Sequence, residues 1–179
     1  VSAVLVSFIW VFIFTNVMPA LGGVLGWDWL ANISWFGTPS MATVTIIVVS
    51  IWQNIGFLMI IYTAGLQTIP KDVMESAELD GCSGLKKVLK IELPLLMPTV
   101  TINLFVSISG AFKSFDIPNA MTGGGPYGST MPVAMNIYQE AFTKYNLGYG
   151  SAKSVILFLT VAAVTLIQLY CTRKKEVEY

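Results

Sequence analysis

Long apolar runs broken by short polar segments are the dominant pattern of this chain. Residues 1–27, 29–70, 93–112 and 154–172 contain no Asp, Glu, Lys or Arg. A helix of about 20 mostly apolar residues is long enough to cross the hydrocarbon core of a bilayer. These runs lack the polar face that an outer helix of a soluble protein needs, so they predict membrane spans. Four crossings are expected, at about 1–15, 41–66, 97–115 and 151–171. The first should stop near Thr15-Asn16, because Pro19 and the pair Gly22-Gly23 lie just beyond.

The segments between the runs have distinct characters. Residues 16–40 read as a connector whose Trp27, Trp29 and Trp35 suit the headgroup layer, where indole rings settle. Residues 67–96 form a charged loop. Residues 116–150 form a polar stretch containing Thr122-Gly123-Gly124-Gly125-Pro126 and a short amphipathic helix in VAMNIYQEAFTKY. The basic residues set the orientation. With 67–96 and the C-terminal end in the cytoplasm, that side holds Lys71, Lys86, Lys87, Lys90, Arg173, Lys174 and Lys175, against Lys113, Lys144 and Lys153 elsewhere. Segments 16–40 and 116–150 then lie outside. Val1 opens inside an apolar stretch with neither an initiator Met nor a basic region before it, so the opening residues read as part of a transmembrane helix rather than a signal peptide. The expected fold is an all-α polytopic membrane protein forming one domain over 1–179, with no internal repeat.

Composition agrees with this pattern and removes several function classes. Of 179 residues, 55% are hydrophobic and 11% charged, where soluble domains carry about a quarter. Formal net charge is zero, so bulk electrostatics say little about partners; no nucleic acid partner is expected. The chain has no histidine, which removes the commonest metal ligand and general base. No metal site and no catalytic residue is expected. Cys82 and Cys171 are too few for a disulfide framework, and both fall near segments placed on the cytoplasmic side.

The charged loop concentrates most of the remaining information. Seven of the twenty charged residues lie between Glu75 and Pro98. Pro70 suits a helix start, and KDVMESAEL is made of good helix formers. Lys71 and Glu75 stand four apart on one face, in the weaker order. Asp80-Gly81 marks a stop, since glycine adopts positive φ without steric cost. A second helix reads SGLKKVLKIE, with Leu85, Val88 and Leu89 opposite Lys86, Lys87 and Lys90. Pro94 should end it. Ser76 and Ala77 beside Glu75 make a surface that another backbone can approach closely. Such a loop could also do no more than set topology.

The spacing of these residues resembles the EAA loop of the permease subunits of ABC importers. That pattern is Glu-Ala-Ala, a glycine after three residues, then Ile-x-Leu-Pro after a further stretch. Here it stands as Glu75-Ser76-Ala77, Asp80-Gly81 and Ile91-Glu92-Leu93-Pro94. Ala64-Gly65-Leu66-Gln67, Ile69-Pro70, the Thr122-Pro126 stretch and Tyr149-Gly150-Ser151-Ala152 resemble the carbohydrate branch of the family, of the maltose, multiple-sugar and glycerol-phosphate type. Ser76 departs from the usual Ala, one small residue for another. The resemblance implies a coupling helix that seats in a cleft of a cytoplasmic ATPase subunit through the 70–92 loop. Glu75, Ser76, Ala77, Asp80 and Gly81 are its docking residues. It further implies a second permease subunit, an extracytoplasmic solute-binding protein, a carbohydrate substrate and a bacterial or archaeal cytoplasmic membrane. No cofactor is implied on this chain, since ATP and Mg belong to the ATPase subunits. The family carries six core spans, of which this chain shows about the last four.

Candidate pathway residues come from polar positions inside the spans. Ser50, Gln53, Asn54 and Phe57 fall at i, i+3, i+4 and i+7, one helical stripe. Uncharged hydrogen-bonding groups beside an aromatic ring suit a neutral sugar, although the same groups could be glue between helices. In the third crossing Gly110, Ala111 and Ser114 make a narrow face. Asn103 and Ser107 hydrogen-bond better but lie nearer the cytoplasm. The Gly123-Gly124-Gly125 run is no phosphate loop, since no Gly-Lys-Ser/Thr follows it, and flexible glycines in an external loop are expected instead. An embedded enzyme would need a nucleophile–base pair or a metal cluster, and only isolated serines are present. A same-fold permease for an amino acid or a phosphorylated polyol is the alternative, with Lys113 as the one candidate cation.

Overall fold

The computed structural model describes residues 2–174, and among these every regular element is helical. In chain order they are α1 (Ala3–Leu25), α2 (Asp28–Asn32), α3 (Pro39–Gln67), α4 (Lys71–Leu79), α5 (Gly84–Leu95), α6 (Met97–Phe112), α7 (Asp116–Thr122), α8 (Val133–Tyr138) and α9 (Leu147–Arg173). Helices α1, α3 and α9 are each long and apolar enough to cross a membrane. The bent pair α5 and α6, turned by 70° at Leu96, supplies a fourth candidate if taken as one span. Val1 and Lys175 lie outside the described residues.

Two helices run through sites where the sequence predicts a stop. Helix α1 does not end at Thr15-Asn16 but continues to Leu25, relaxing into a π turn over Ile13–Val17 just before Pro19. Proline lacks an N–H and its ring collides with the carbonyl four residues back, and a wider π turn accommodates both defects. Thr15 Oγ1 donates to Val11 O at 2.8 Å and Asn16 Nδ2 to Phe12 O at 3.3 Å, so polar side chains bond back to carbonyls of the same stretch. Helix α1 stops only at Gly26, where φ is +69°. Pro94 likewise does not end its helix. A π turn over Val88–Glu92 precedes it, α5 runs on to Leu95, and the bend follows at Leu96. Helix α9 begins at Leu147, earlier than expected, and α6 ends at Phe112 rather than near 115.

The chain divides into two compact units, each described by itself. The first comprises the residues up to Asn54 together with Phe112–Leu157. Its core is Val6, Phe14, Val49, Ile117 and Met121, with Trp10, Trp35 and Phe36 packed against them. Phe14 is the hub, 5.3 Å from the Trp10 ring and 4.8 Å from that of Trp35. Trp35 is therefore partly buried against this core. Trp27 and Trp29 remain exposed and stack at 6.5 Å.

In the same unit Thr122-Gly123-Gly124-Gly125-Pro126 forms a closely tied turn, not a flexible one. Thr122 and Thr130 join through their hydroxyls at 2.7 Å, and Thr130 Oγ1 donates to Gly125 O at 2.7 Å. Gly124 is buried with φ +90°, a conformation that strains any residue with a Cβ, and a Cβ there would press on Met131 Cε at 3.0 Å.

The second unit comprises Ile55–Ala111 and the residues from Phe158 onward. Polar side chains hold it together. Asn103, 2% exposed, donates from Nδ2 to Leu58 O at 3.4 Å, and Gln168 Nε2 donates to Thr101 O at 3.3 Å. Helices α3 and α6 also approach closely at Gly65, where a Cβ would collide with the Thr99 side chain. Gly65→Ala should therefore destabilise the protein by about 1–3 kcal/mol, as overpacking of a tight contact does. The unfolding midpoint in detergent should fall, and Thr99→Ala in the same chain should recover part of the loss.

Candidate functional site

The charged loop is built from local signals acting in series. Pro70, at φ −59° and ψ 135°, turns the chain into α4, and Ile69 anchors the entrance at 8% exposure. One side of α4 buries Ala77, while Glu75, Ser76 and Glu78 stay exposed. The helix then closes in a Schellman motif. Cys82 N donates to Ala77 O at 2.9 Å and Gly81 N to Glu78 O at 3.0 Å, with Gly81 at φ +71°. Cys82 is buried within this closure. A second left-handed glycine, Gly84 at φ +58°, starts α5.

An ion pair across the turn joins the two loop helices. Lys87 Nζ donates to Glu78 Oε1 at 2.6 Å. That hydrogen bond, with the charge of Lys87 behind it, holds the Glu78 carboxyl below its ordinary value. The pair is intact above the usual carboxylate range and is lost as pH falls through the lowered value. The sequence pointed instead to Lys71 and Glu75, which are not paired with each other. The Glu75 carboxylate is thus exposed and uncommitted. Residues nine apart on either side of a turn leave no periodic signal, so the Glu78–Lys87 contact was invisible to a helical-face argument.

The candidate pathway residues differ in their surroundings. On α3, Ser50 and Gln53 are half-buried while Asn54 and Phe57 are exposed. Asn54 Nδ2 donates to Ser50 O at 2.8 Å, which commits its donor and leaves Oδ1 as an acceptor. Gln53 Oε1 is buried with no hydrogen-bond partner. On α6, Gly110 and Ala111 are exposed, Ser114 beyond its end is half-buried, and a Cβ at Gly110 would meet open space. Ser107 is exposed, but Asn103 is not available to a solute. It is spent on the Leu58 carbonyl, as glue between helices. Lys113 is exposed. Among the described residues no group of three His, Cys, Asp or Glu could hold a metal ion.

Long apolar helices with an exposed helix–turn–helix joined to them define a multi-pass membrane protein. The chain belongs to the family of binding-protein-dependent transport system inner membrane components, whose model matches residues 1–177. It is 33% identical over 176 residues to the multiple sugar-binding transport system permease protein MsmF of Streptococcus mutans, covering 98% of this chain and 60% of that one. It is 39% identical over 145 residues to the sulfoquinovosyl glycerol transport system permease protein SmoG of Agrobacterium fabrum, covering 81% of this chain and 47% of the relative. The chain thus spans about half to three-fifths of the length of these relatives. Its fold is similar to that of a chain in the crystal structure of a bacterial ABC transporter involved in the import of the acidic polysaccharide alginate. There the TM-score is 0.85 and the identity 20%, over 97% of this chain and 61% of that one.

The loop closure can be tested directly. Gly81→Ala should cost about 1–2 kcal/mol, because a Cβ opposes the left-handed conformation even where space is free. Amide hydrogen exchange at Cys82, whose N–H closes the motif, should speed up. Gly23→Ala in α1, also in open space but at ordinary φ, should leave that exchange unchanged.

Proposed function

We propose that this chain forms half of the translocation pathway of an ABC importer for a sugar or oligosaccharide. The observation that carries this reading is the geometry of the 70–92 loop. A short exposed helix, rigidly closed at Gly81 and tied to α5 through Glu78–Lys87, stands between long apolar helices and presents a free Glu75 carboxylate. Such a part passes a displacement on better than a flexible loop would. In this reading Glu75, Ser76, Asp80 and Gly81 seat on a cytoplasmic ATPase subunit, with Glu75 against a basic residue of its cleft, while Ala77, expected from the sequence to dock as well, is buried on the opposite side of the helix. The loop and the C-terminal end face the cytoplasm, while segment 116–150 faces a solute-binding protein outside.

The substrate class follows from the stripe on α3. Ser50, Gln53 and Asn54 are uncharged hydrogen-bonding groups, and Phe57 offers a flat apolar face. Hydroxyls and C–H surfaces of a neutral sugar match that set, and the small residues Gly110, Ala111 and Ser114 are further pathway candidates. The multiple-sugar and sulfoquinovosyl glycerol relatives support a carbohydrate cargo. The chain performs no covalent chemistry of its own, and ATP with Mg is used by the partner subunits.

Reconstitution with a second permease subunit, ATPase subunits and a binding protein tests the reading. ATP hydrolysis should rise with one member of a panel of mono- and oligosaccharides, and a response confined to phosphorylated polyols or amino acids would replace the sugar assignment. In that system Glu75→Lys should cut sugar uptake by about tenfold or more, because like charges would meet at the docking cleft. Undiminished uptake would remove Glu75 from the interface. Gln53→Ala with Asn54→Ala should leave assembly intact and raise the half-saturating sugar concentration by about tenfold, as loss of two hydrogen bonds worth about 0.5–1.5 kcal/mol each implies.

A further inference from the structure

Lys153 stands in the second turn of the long apolar helix α9, with its side chain only 24% exposed. A cation inside such a helix is costly unless it is partnered, and where one is kept it marks function. Lys153 does not simply reach out to solvent. Its Nζ donates to Asn136 Oδ1 at 2.7 Å, lies 3.6 Å from Glu140 Oε1 and sits 4.3 Å from the centre of the Tyr149 ring. Asn136 and Glu140 are one turn apart on α8 and the π turn Gln139–Thr143 that continues it. One ammonium thus holds both turns of that outer helix.

The surrounding contacts make the junction tight. Gly150 is buried against the outer helix, where a Cβ would sit 2.8 Å from that of Ala141. Asn146 N donates to Glu140 O at 2.9 Å, closing the turn that leads into α9. Lys144 also pairs with Glu140, at 2.9 Å. On its other side Asn136 Nδ2 reaches Met131 Sδ at 3.7 Å, and Met131 packs on buried Gly124 in the threonine-tied turn. A continuous set of contacts therefore runs from the 122–130 turn through Met131, Asn136 and Glu140 to Lys153.

We propose that Lys153 is a positioning residue that clamps an outer platform, made of the 122–130 turn and the outer helix 133–143, onto α9, so that load placed on the platform by an extracytoplasmic protein partner passes into that helix. The direction of the load rests on the importer reading above. The clamp itself does not. It predicts that removing the ammonium frees the platform while α9 and the rest of the unit stay folded.

Two readouts on one set of variants separate these points. A spin label at Phe142, in a chain with Cys82→Ser and Cys171→Ser, reports motion of the outer helix in the assembled complex in nanodiscs. Lys153→Met should raise the mobility of that label. The exchanged pair Glu140→Lys with Lys153→Glu should restore immobility, because it rebuilds attraction across the same junction. In the reconstituted complex without the label, Lys153→Met should keep basal ATP hydrolysis and the unfolding temperature. It should lose about fivefold of the stimulation given by sugar-loaded binding protein. A label equally immobile in Lys153→Met overturns the clamp. So does a loss of basal activity and folding together, which would make Lys153 a general stabiliser. A mobile label with stimulation unchanged overturns the transfer of load. A mobile label restored by the exchange, in a wild-type complex that no loaded binding protein stimulates, upholds the clamp and removes the importer reading instead.

Discussion

Inside a bilayer no water stands ready to satisfy a backbone N–H or C=O, and this constraint shapes the chain more than any single contact does. Each unpaired group in hydrocarbon costs several kcal/mol, so the chain stays helical even where its sequence invites a break. Pro19 shows the consequence. A proline that would end a helix in water is absorbed here by a π turn just before it, at Ile13–Val17. Hydroxyl side chains follow the same logic by bonding to the carbonyl four residues back, as Ser7, Thr43, Thr101 and Thr165 do. A polar residue treated in this way presents its carbon atoms to its surroundings and adds little polarity to the helix.

The same constraint separates polar groups that hold the fold from polar groups free to act. Asn103 and Gln168 direct their amide donors at backbone carbonyls of neighbouring helices, and each still has a buried side-chain oxygen without a partner. They are interior fasteners. Asn54 also spends its donor, but on its own helix, and its remaining acceptor is on an exposed side chain. Two asparagines of equal polarity thus differ through geometry alone. Spacing along the sequence cannot tell them apart, because both sit four residues from another small polar group.

Features governed by nearest neighbours were legible in the sequence. The long uncharged runs produce α3 and α9, Pro70 opens α4, and Asp80-Gly81 closes it with the expected positive φ. Features governed by partners distant in sequence were not. The continuation of α1 past Thr15 depends on its surroundings overriding a local stop signal. The glycines of 122–126 look flexible by composition, yet Thr130, eight residues from Thr122, ties them down. Glu78 and Lys87 meet only because a two-glycine turn folds them together, and Lys153 meets Asn136 across 17 residues. The helices of the loop were therefore easier to place than the contacts that join them.

Contacts at both of its ends fix the shape of the charged loop. An isolated nine-residue helix is marginal in water, because too few hydrogen bonds follow its costly first turn. Helix α4 has that length and would fray if nothing held its ends. Ile69 and Pro70 hold the entrance, and the Cys82–Ala77 and Gly81–Glu78 bonds hold the exit. The Glu78–Lys87 pair adds little stability, since the Glu78 carboxylate lies in solvent, which screens its attraction to Lys87. Its contribution is orientation: it fixes the angle at which α4 meets α5, and α5 leads through the bend at Leu96 into α6. Glu75 is therefore joined to an apolar helix through caps, a turn and one ion pair, with no long flexible link between them.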